Sequence, residues 1–233
     1  MHKSFIFLAF VVVLCFISSC QQNPEPEAFA PVEEETDLRE VFLQAKSETP
    51  ALAPYIDQAE SEWNRLNAKG SKQALTLLAG KIKDMTLTND IIWILRGPVI
   101  VSAGHTLTIE PGTVIKAFPG QGARASFLMV EPGAKIHAAG TFEQPIVFTT
   151  MADRGFQEER FISSIPPGVS GLWGGVILMG RAPVNSAEGK LDVEGIIRNG
   201  SIPTQYGGDD PHDDSGIMQY VSIRFSGTEV ATA

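Results

Sequence analysis

The sequence predicts a mainly β fold: a right-handed parallel β-helix (solenoid) preceded by a short α-helical segment. Three observations carry that expectation. An internal repeat aligns Leu107-Thr-Ile-Glu-Pro-Gly-Thr-Val-Ile-Lys116 with Leu128-Met-Val-Glu-Pro-Gly-Ala-Lys-Ile-His137 at an offset of 21 residues, with five of ten columns identical. The matches alternate: Leu107, Ile109, Thr113 and Ile115 answer to Leu128, Val130, Ala134 and Ile136, whereas Thr108 and Val114 face Met129 and Lys135. Successive residues of a strand point to opposite faces, so matched columns belong to an interior and unmatched ones to an outer surface. Pro-Gly between the two short runs forces a corner. Repeats of about 20 residues, stacked in parallel ~4.8 Å apart, make the rungs of a solenoid. An antiparallel sandwich accommodates similar strands but not a repeat in register.

Composition bounds the rest. At 233 residues and 43% hydrophobic, the chain can bury a sizeable core, which excludes a disordered or collagen-like protein. A formal charge of −9 argues against a nucleic-acid partner, because phosphate binding needs a surplus of Lys and Arg. Both cysteines, Cys15 and Cys20, fall near the start, so the body has no disulfide framework.

Residues 1–19 read as a signal peptide: Lys3, an apolar run from Phe5 to Ile17 too short to span a bilayer, then small residues. Ile17-Ser18-Ser19-Cys20 resembles the lipobox of bacterial lipoproteins, which implies acylation of Cys20, a lipoprotein anchored to the membrane through its N-terminal lipid. Gln21 in place of Asp implies, by the same resemblance, the outer membrane, on its periplasmic face or at the cell surface. Residues 20–35 are Pro- and Glu-rich and are expected to form a disordered acidic tether. The acidity is concentrated here: residues 20–70 hold eleven Asp and Glu against four Lys and Arg.

Residues 36–79 form the expected α-helical segment, or cap. Leu38, Phe42 and Ala45 follow Thr36-Asp37 at helical spacing, and Ile56, Ala59, Trp63 and Leu66 make one stripe of a second helix ended by Gly70. A third short helix is expected over Ser71–Ala79. With one apolar stripe each, these helices should cover the first edge of the solenoid. Residues 80–233 carry the β-helix. Beyond Ile82–Leu87, Ile91–Leu95 and the repeat, strands are expected at Pro145–Thr150, Gly174–Leu178 and Gln219–Arg224. The closing run Ser222–Ala233 has neither an amphipathic cap nor a polar tail, so the stack is expected to be C-terminally truncated.

The segments Leu107–Lys116, Pro145–Thr150, Gly171-Leu-Trp-Gly-Gly-Val-Ile-Leu178, Tyr206-Gly-Gly-Asp-Asp210, Ser215-Gly216 and Tyr220–Arg224 together resemble a family. It is the largely uncharacterised β-helix surface lipoproteins and secreted proteins of Bacteroidetes-type bacteria, with a pectin-lyase-like fold. The resemblance covers about residues 80–230 and implies the fold without naming a catalytic set. That fold hosts lyases, hydrolases and adhesins alike.

No catalytic residue is assigned. Glu110 and Glu131, if stacked on successive rungs, could perturb one another's pKa, yet a polar residue before Pro-Gly is expected in any corner. His105 and His137 read as solvent-facing turn or strand residues. Asp209, Asp210, Asp213 and Asp214 offer the hard oxygen donors that Ca²⁺ takes, as a low-affinity structural site, although Asx-turns in a solvated loop are the first reading of them. Two long excursions, Met151–Ser170 and Arg181–Asp214, leave the scaffold where binding residues usually sit. Phe156, Phe161 and nearby Trp173 are the aromatic residues that could meet a sugar ring, although packing beside Gly174-Gly175 is the first reading of Trp173. Thr106 and Thr108 do not make an ice-binding array, since Phe127 and Met129 stand one repeat later. The expected function is non-catalytic binding of glycan or a surface protein. The alternatives are a polysaccharide lyase or hydrolase and a purely structural envelope protein.

Overall fold

The computed structural model describes residues 38–68, 74–155, 162–196 and 202–230. The leader, Cys20 and the tether lie outside them, as do Phe156 and Phe161. Two helices open the described chain, α1 (Leu38–Glu48) and α2 (Ala53–Leu66), joined by a short 3₁₀ turn. Strands follow: β1 (Ala74–Ile82), β2 (Met85–Leu87), β3 (Ile91–Val101), β4 (Thr106–Ile109), β5 (Val114–Ala117), β6 (Phe127–Val130), β7 (Lys135–Ala139) and β8 (Ile146–Thr150). After the first long excursion come β9 (Gly175–Leu178), β10 (Lys190–Asp192), β11 (Gln205–Gly207), β12 (Gly216–Gln219) and β13 (Val221–Ile223). Only β10 and β11 pair antiparallel, as a small ribbon within the second excursion; every other ladder is parallel.

Parallel pairing sorts the strands onto three faces. The first stacks the leading half of β1, the leading half of β3, β5, β8 and β13. The second stacks the trailing halves of β1 and β3 with β6 and β9. The third stacks β2, β4, β7 and β12. The long strands β1 and β3 bend from first face to second at Gly80 and Gly97, whose φ values of 68° and 67° suit glycine and strain other residues. One chain thus winds through a nearly closed solenoid, and its inward side chains make one core. Leu107, Ile109, Ile115, Leu128, Val130, Ala134 and Ile136 all belong to it, which bears out the alternation read in the repeat.

The repeat itself marks corners rather than rungs. Leu107 pairs with Ile136, and Leu128 pairs with Val99 and Val176. Glu110-Pro111-Gly112 turns the chain from third face to first, whereas Glu131-Pro132-Gly133 turns it from second to third. Both corners use the same turn. Its glycine sits at φ 81° or 83°, and the N–H of the following residue donates to the glutamate carbonyl (Thr113 to Glu110, 3.2 Å; Ala134 to Glu131, 2.9 Å). The sequence similarity therefore records a shared corner geometry, and connections of different length set the rung spacing.

Two further expectations are corrected. Residues 74–79 are not a helix; they are strand, paired along Ile91–Leu95 and then, past a bulge, Val99–Val101. Nor do α1 and α2 sit on the end of the stack. Phe42, Ala45, Leu52, Ile56, Ala59 and Leu66 pack with the outward residues Ile92 and Ile94 of β3, and with Leu75 and Leu77 of β1, so the helices cover the first face from outside. Phe118, directly after β5, meets Phe42 edge-on at 5.3 Å and Trp63 at 6.0 Å. A strand buried on both sides loses its alternation and reads as continuous apolar sequence, as Ile91–Leu95 does.

A buried ion pair locks this cover. Lys116 points outward from β5 into the helix interface, where its ammonium donates to Glu62 Oε1 of α2 at 2.9 Å and to the Asp153 carbonyl at 2.7 Å. Arg65 adds two hydrogen bonds to the same carboxylate at 2.7 and 2.9 Å. Burial pushes the Glu62 carboxyl up, but Arg65 and Lys116 outweigh it and hold the group below the usual glutamate range. Burial likewise pushes the Lys116 ammonium down, with partial compensation from Glu62. Removing one partner strands the other charge, so Glu62→Ala or Lys116→Ala is expected to cost about 3–5 kcal/mol in denaturant unfolding, and a paired Glu62→Leu/Lys116→Met change much less. Because the folded Glu62 pKa is lowered, its contribution is present above the ordinary value of 4.5 and is lost as pH falls through the folded value; Glu62→Gln should flatten that acid limb.

Candidate functional site

The cover over the first face has a counterpart on the second. Outward residues Ile100, Phe127 and Met129 pack beneath Ile196, Val193, Ile202 and Tyr206 of the second excursion. Ile165 of the first excursion and Leu172 just after it complete the cover of the first face. Only the third face keeps its outward column in solvent. Along it, Thr86, Thr108, His137 and Ile217 align rung over rung, beside Thr106 next to Lys135. Thr86, His137, Ala139, Ile217 and Gln219 are exposed, and Thr106, Thr108 and Lys135 half-buried. The result is an open surface of hydroxyls, amide, ammonium and imidazole, with Ala139 and Ile217 among them, on a parallel sheet. The rung partners of Thr106 and Thr108 are Lys135 and His137, not Phe127 and Met129, so the threonine row ends after β4.

Both margins of this face are carboxylate clasps. At one, Asp84 accepts the Thr106 N–H at 2.7 Å and sits 3.2 Å from His105 Nδ1, contacts that hold it below the usual aspartate range. Glu131 accepts the Ala103 N–H at 2.9 Å and pairs with Lys81 at 3.0 Å. At the other margin Glu110 accepts the Asn89 N–H at 3.3 Å. Glu110 and Glu131 therefore lie on different corners, and each ties its turn to the turn one rung below. The stacked-pair geometry considered from sequence does not form.

Residues 80–233 match the family described as a pectate-lyase-like β-helix domain. The chain belongs to that family. No curated protein and no solved structure matches it significantly. The matched β-helix domain includes the whole third face, and α1 and α2 lie ahead of the match.

Within this β-helix domain the sequence-predicted ligand residues do other work. Trp173 is fully buried and stacks on Phe148 at 6.4 Å inside the solenoid, its Nε1–H donating to the Arg224 carbonyl at 2.7 Å. It also bridges in parallel to Ser226, so it is a rung residue and has no face free for a sugar. The aspartates do not converge on a cation. Asp213 is held below the usual aspartate range by the Arg181 N–H at 2.7 Å and its guanidinium at 3.1 Å; Asp210 lies 3.5 Å from that guanidinium. Asp214 is lowered by Lys135, 3.0 Å away, and also accepts the Gly216 N–H at 2.8 Å. Asp209 is exposed. Among the described residues no group of three or more His, Cys, Asp or Glu is arranged to hold a metal ion, and Asp210, Asp213 and Asp214 each face a cationic side chain instead.

The sequence reading missed the corner at Tyr220. Gln219–Arg224 is not one strand: β12 ends on the third face at Gln219 and β13 begins on the first at Val221. A single residue, Tyr220, makes the corner at φ 49°, a conformation whose cost for a non-glycine residue is about 1–3 kcal/mol. Phe225, the other such residue among those described, at φ 57°, packs against the helical cover. Tyr220 is 52% exposed. Directly below it lies the Gly140–Ile146 turn, joined by Gly140 N–H to Gln219 O at 2.9 Å and Ile146 N–H to Tyr220 O at 3.0 Å. Phe142 at its tip is 81% exposed.

Truncating Trp173 to Ala is expected to destabilise the fold by about 3–5 kcal/mol in equilibrium unfolding. A change near zero would mean that its side chain is not part of the core.

Proposed function

We propose that this chain is a lipid-anchored envelope protein, held at the outer membrane through acylated Cys20, whose β-helix binds polysaccharide without cleaving it. The open third face carries this reading: two faces are sheathed, and one presents a flat row of polar side chains fixed by ladder hydrogen bonds. Sites on rigid strands need little reordering to bind, which favours repetitive ligands such as glycans. Of the carboxylates along that face, Asp84, Glu110 and Glu131 are each committed to a backbone N–H of a neighbouring rung, and Asp214 to the Gly216 N–H and the Lys135 ammonium. That commitment favours binding over acid–base cleavage, which needs a carboxyl placed against the substrate. Ile17-Ser18-Ser19-Cys20 supports the anchor.

Thr108 points outward from the middle of the face, between Thr86 and His137. Replacing it with Arg should weaken polysaccharide binding about tenfold, near 1.4 kcal/mol, with an unchanged melting temperature. Affinity electrophoresis of the chain through gels holding homogalacturonan, xylan or mixed-linkage glucan reads this directly. New reducing ends or unsaturated products in the same mixtures would overturn the non-catalytic reading. Cys20→Ser should abolish palmitate labelling and move the protein out of the outer-membrane fraction. Retention there would refute the anchor.

A further inference from the structure

We infer that Phe142 and Tyr220 form an aromatic platform for the ring faces of a neutral polysaccharide, at the corner where the third face meets the first. The inference rests on the glycan-binding reading above and names the ligand class of that face. Its first support is the turn chemistry at this corner. The same corner is turned lower in the stack by Asn89 and by Glu110-Pro111-Gly112, small or polar residues suited to turns. The top corner instead holds a tyrosine in the left-handed region, where Asn or Gly fits more readily. Among the described residues its side chain is half in solvent. Phe142 is more exposed still, although its turn is already closed by Thr141 N–H to Gln144 O at 3.1 Å and Gln144 N–H to Thr141 Oγ1 at 3.0 Å.

The second support is placement. The Phe142 turn lies immediately below Tyr220, so the two aromatic residues belong to corners of adjoining rungs, whose strands stack ~4.8 Å apart. Ile217, outward on β12 and exposed, extends the apolar strip onto the third face toward His137. Exposed aromatic and aliphatic surface bordered by hydroxyls and amides matches the two-sided character of a pyranose, with its apolar C–H face and polar rim. The charges select against an acidic chain. Lys135, the ammonium on the strands of this face, is already paired with Asp214, the charges of Lys83 and Asp84 adjoin at the far margin, and exposed Glu143 stands next to Phe142. The ligand is therefore a neutral polysaccharide rather than a polyuronate.

Titration calorimetry of the full chain with xylohexaose, cellohexaose and hexagalacturonate tests this, using Phe142→Ser, Tyr220→Asn and Thr108→Arg. Wild type should bind at least one neutral oligosaccharide about tenfold more tightly than the polyuronate. Phe142→Ser and Tyr220→Asn should each weaken that binding about tenfold. Tyr220→Asn should also keep or raise the melting temperature, because Asn tolerates the backbone conformation that strains Tyr. A lowered melting temperature for Tyr220→Asn would show that the ring serves the fold and overturn the inference. So would a preference for hexagalacturonate. Loss of binding in Thr108→Arg, with both aromatic variants unaffected, would remove the platform and leave the open-face reading standing. No binding by wild type would remove both.

Discussion

Parallel pairing of each strand with its counterpart one rung below is the constraint on which the rest of this protein depends. It satisfies the backbone along each ladder and fixes which side chains face inward. It also produces a difficulty: a strand in a stacked sheet has an outer side too, and an apolar outer side must be covered. Ile92 and Ile94 require α1 and α2, and Ile100, Phe127 and Met129 require the second excursion. The third face, whose outer column runs through Thr86, Thr108 and His137 to Ile217, is polar on all but its last described rung and carries no such cover. The open surface is what remains once the other two faces have been sheathed.

The helical cover shows how specific that sheathing is. An apolar interface alone would let α2 slide or rotate over the sheet. Lys116, placed among apolar neighbours, accepts one arrangement, with Glu62 opposite it and the Asp153 carbonyl alongside. Asp153 is itself buried, with Thr149 Oγ1 donating to one carboxylate oxygen at 2.9 Å and the Ser164 N–H to the other at 2.9 Å. Helix, rung and first excursion are thereby tied at one point. A desolvated pair of this kind adds little net stability compared with apolar replacements, and its contribution here is to fix register.

Much of the architecture was legible in the sequence because inward alternation survives wherever an outer face is polar. Leu107, Ile109, Ile136 and their partners were assigned to the interior on that basis. The errors have a common origin. Leu75, Leu77 and Leu78 lie in a strand buried on both sides, so their spacing imitated a helix. The similarity of the two Glu-Pro-Gly segments suggested a rung, because turn chemistry repeats at each corner whichever faces it joins. An amphipathic stripe on α2 shows that the helix packs but not against what, and neither Glu62 nor Lys116 stood out until their elements met. Trp173 looked available because a long excursion precedes it, whereas its bridge to Ser226 is a long-range contact with no local signature. Tyr220 was hidden for the opposite reason: Gln219–Arg224 has an unbroken strand composition, and only the backbone reveals the bend.

The long connections lie at two of the three corners. Residues 118–126 and 151–174 span first face to second, and 179–215 span second to third, while the passage from third to first stays short on every rung. Lengthening either of the first two changes what sheathes the solenoid and leaves the open face unbroken. The open surface therefore behaves as a ruler: its width is set by strand length, and its length grows by ~4.8 Å for each rung added. A lineage could match such a surface to a longer polymer by duplicating rungs, with no change to the chemistry of any one of them.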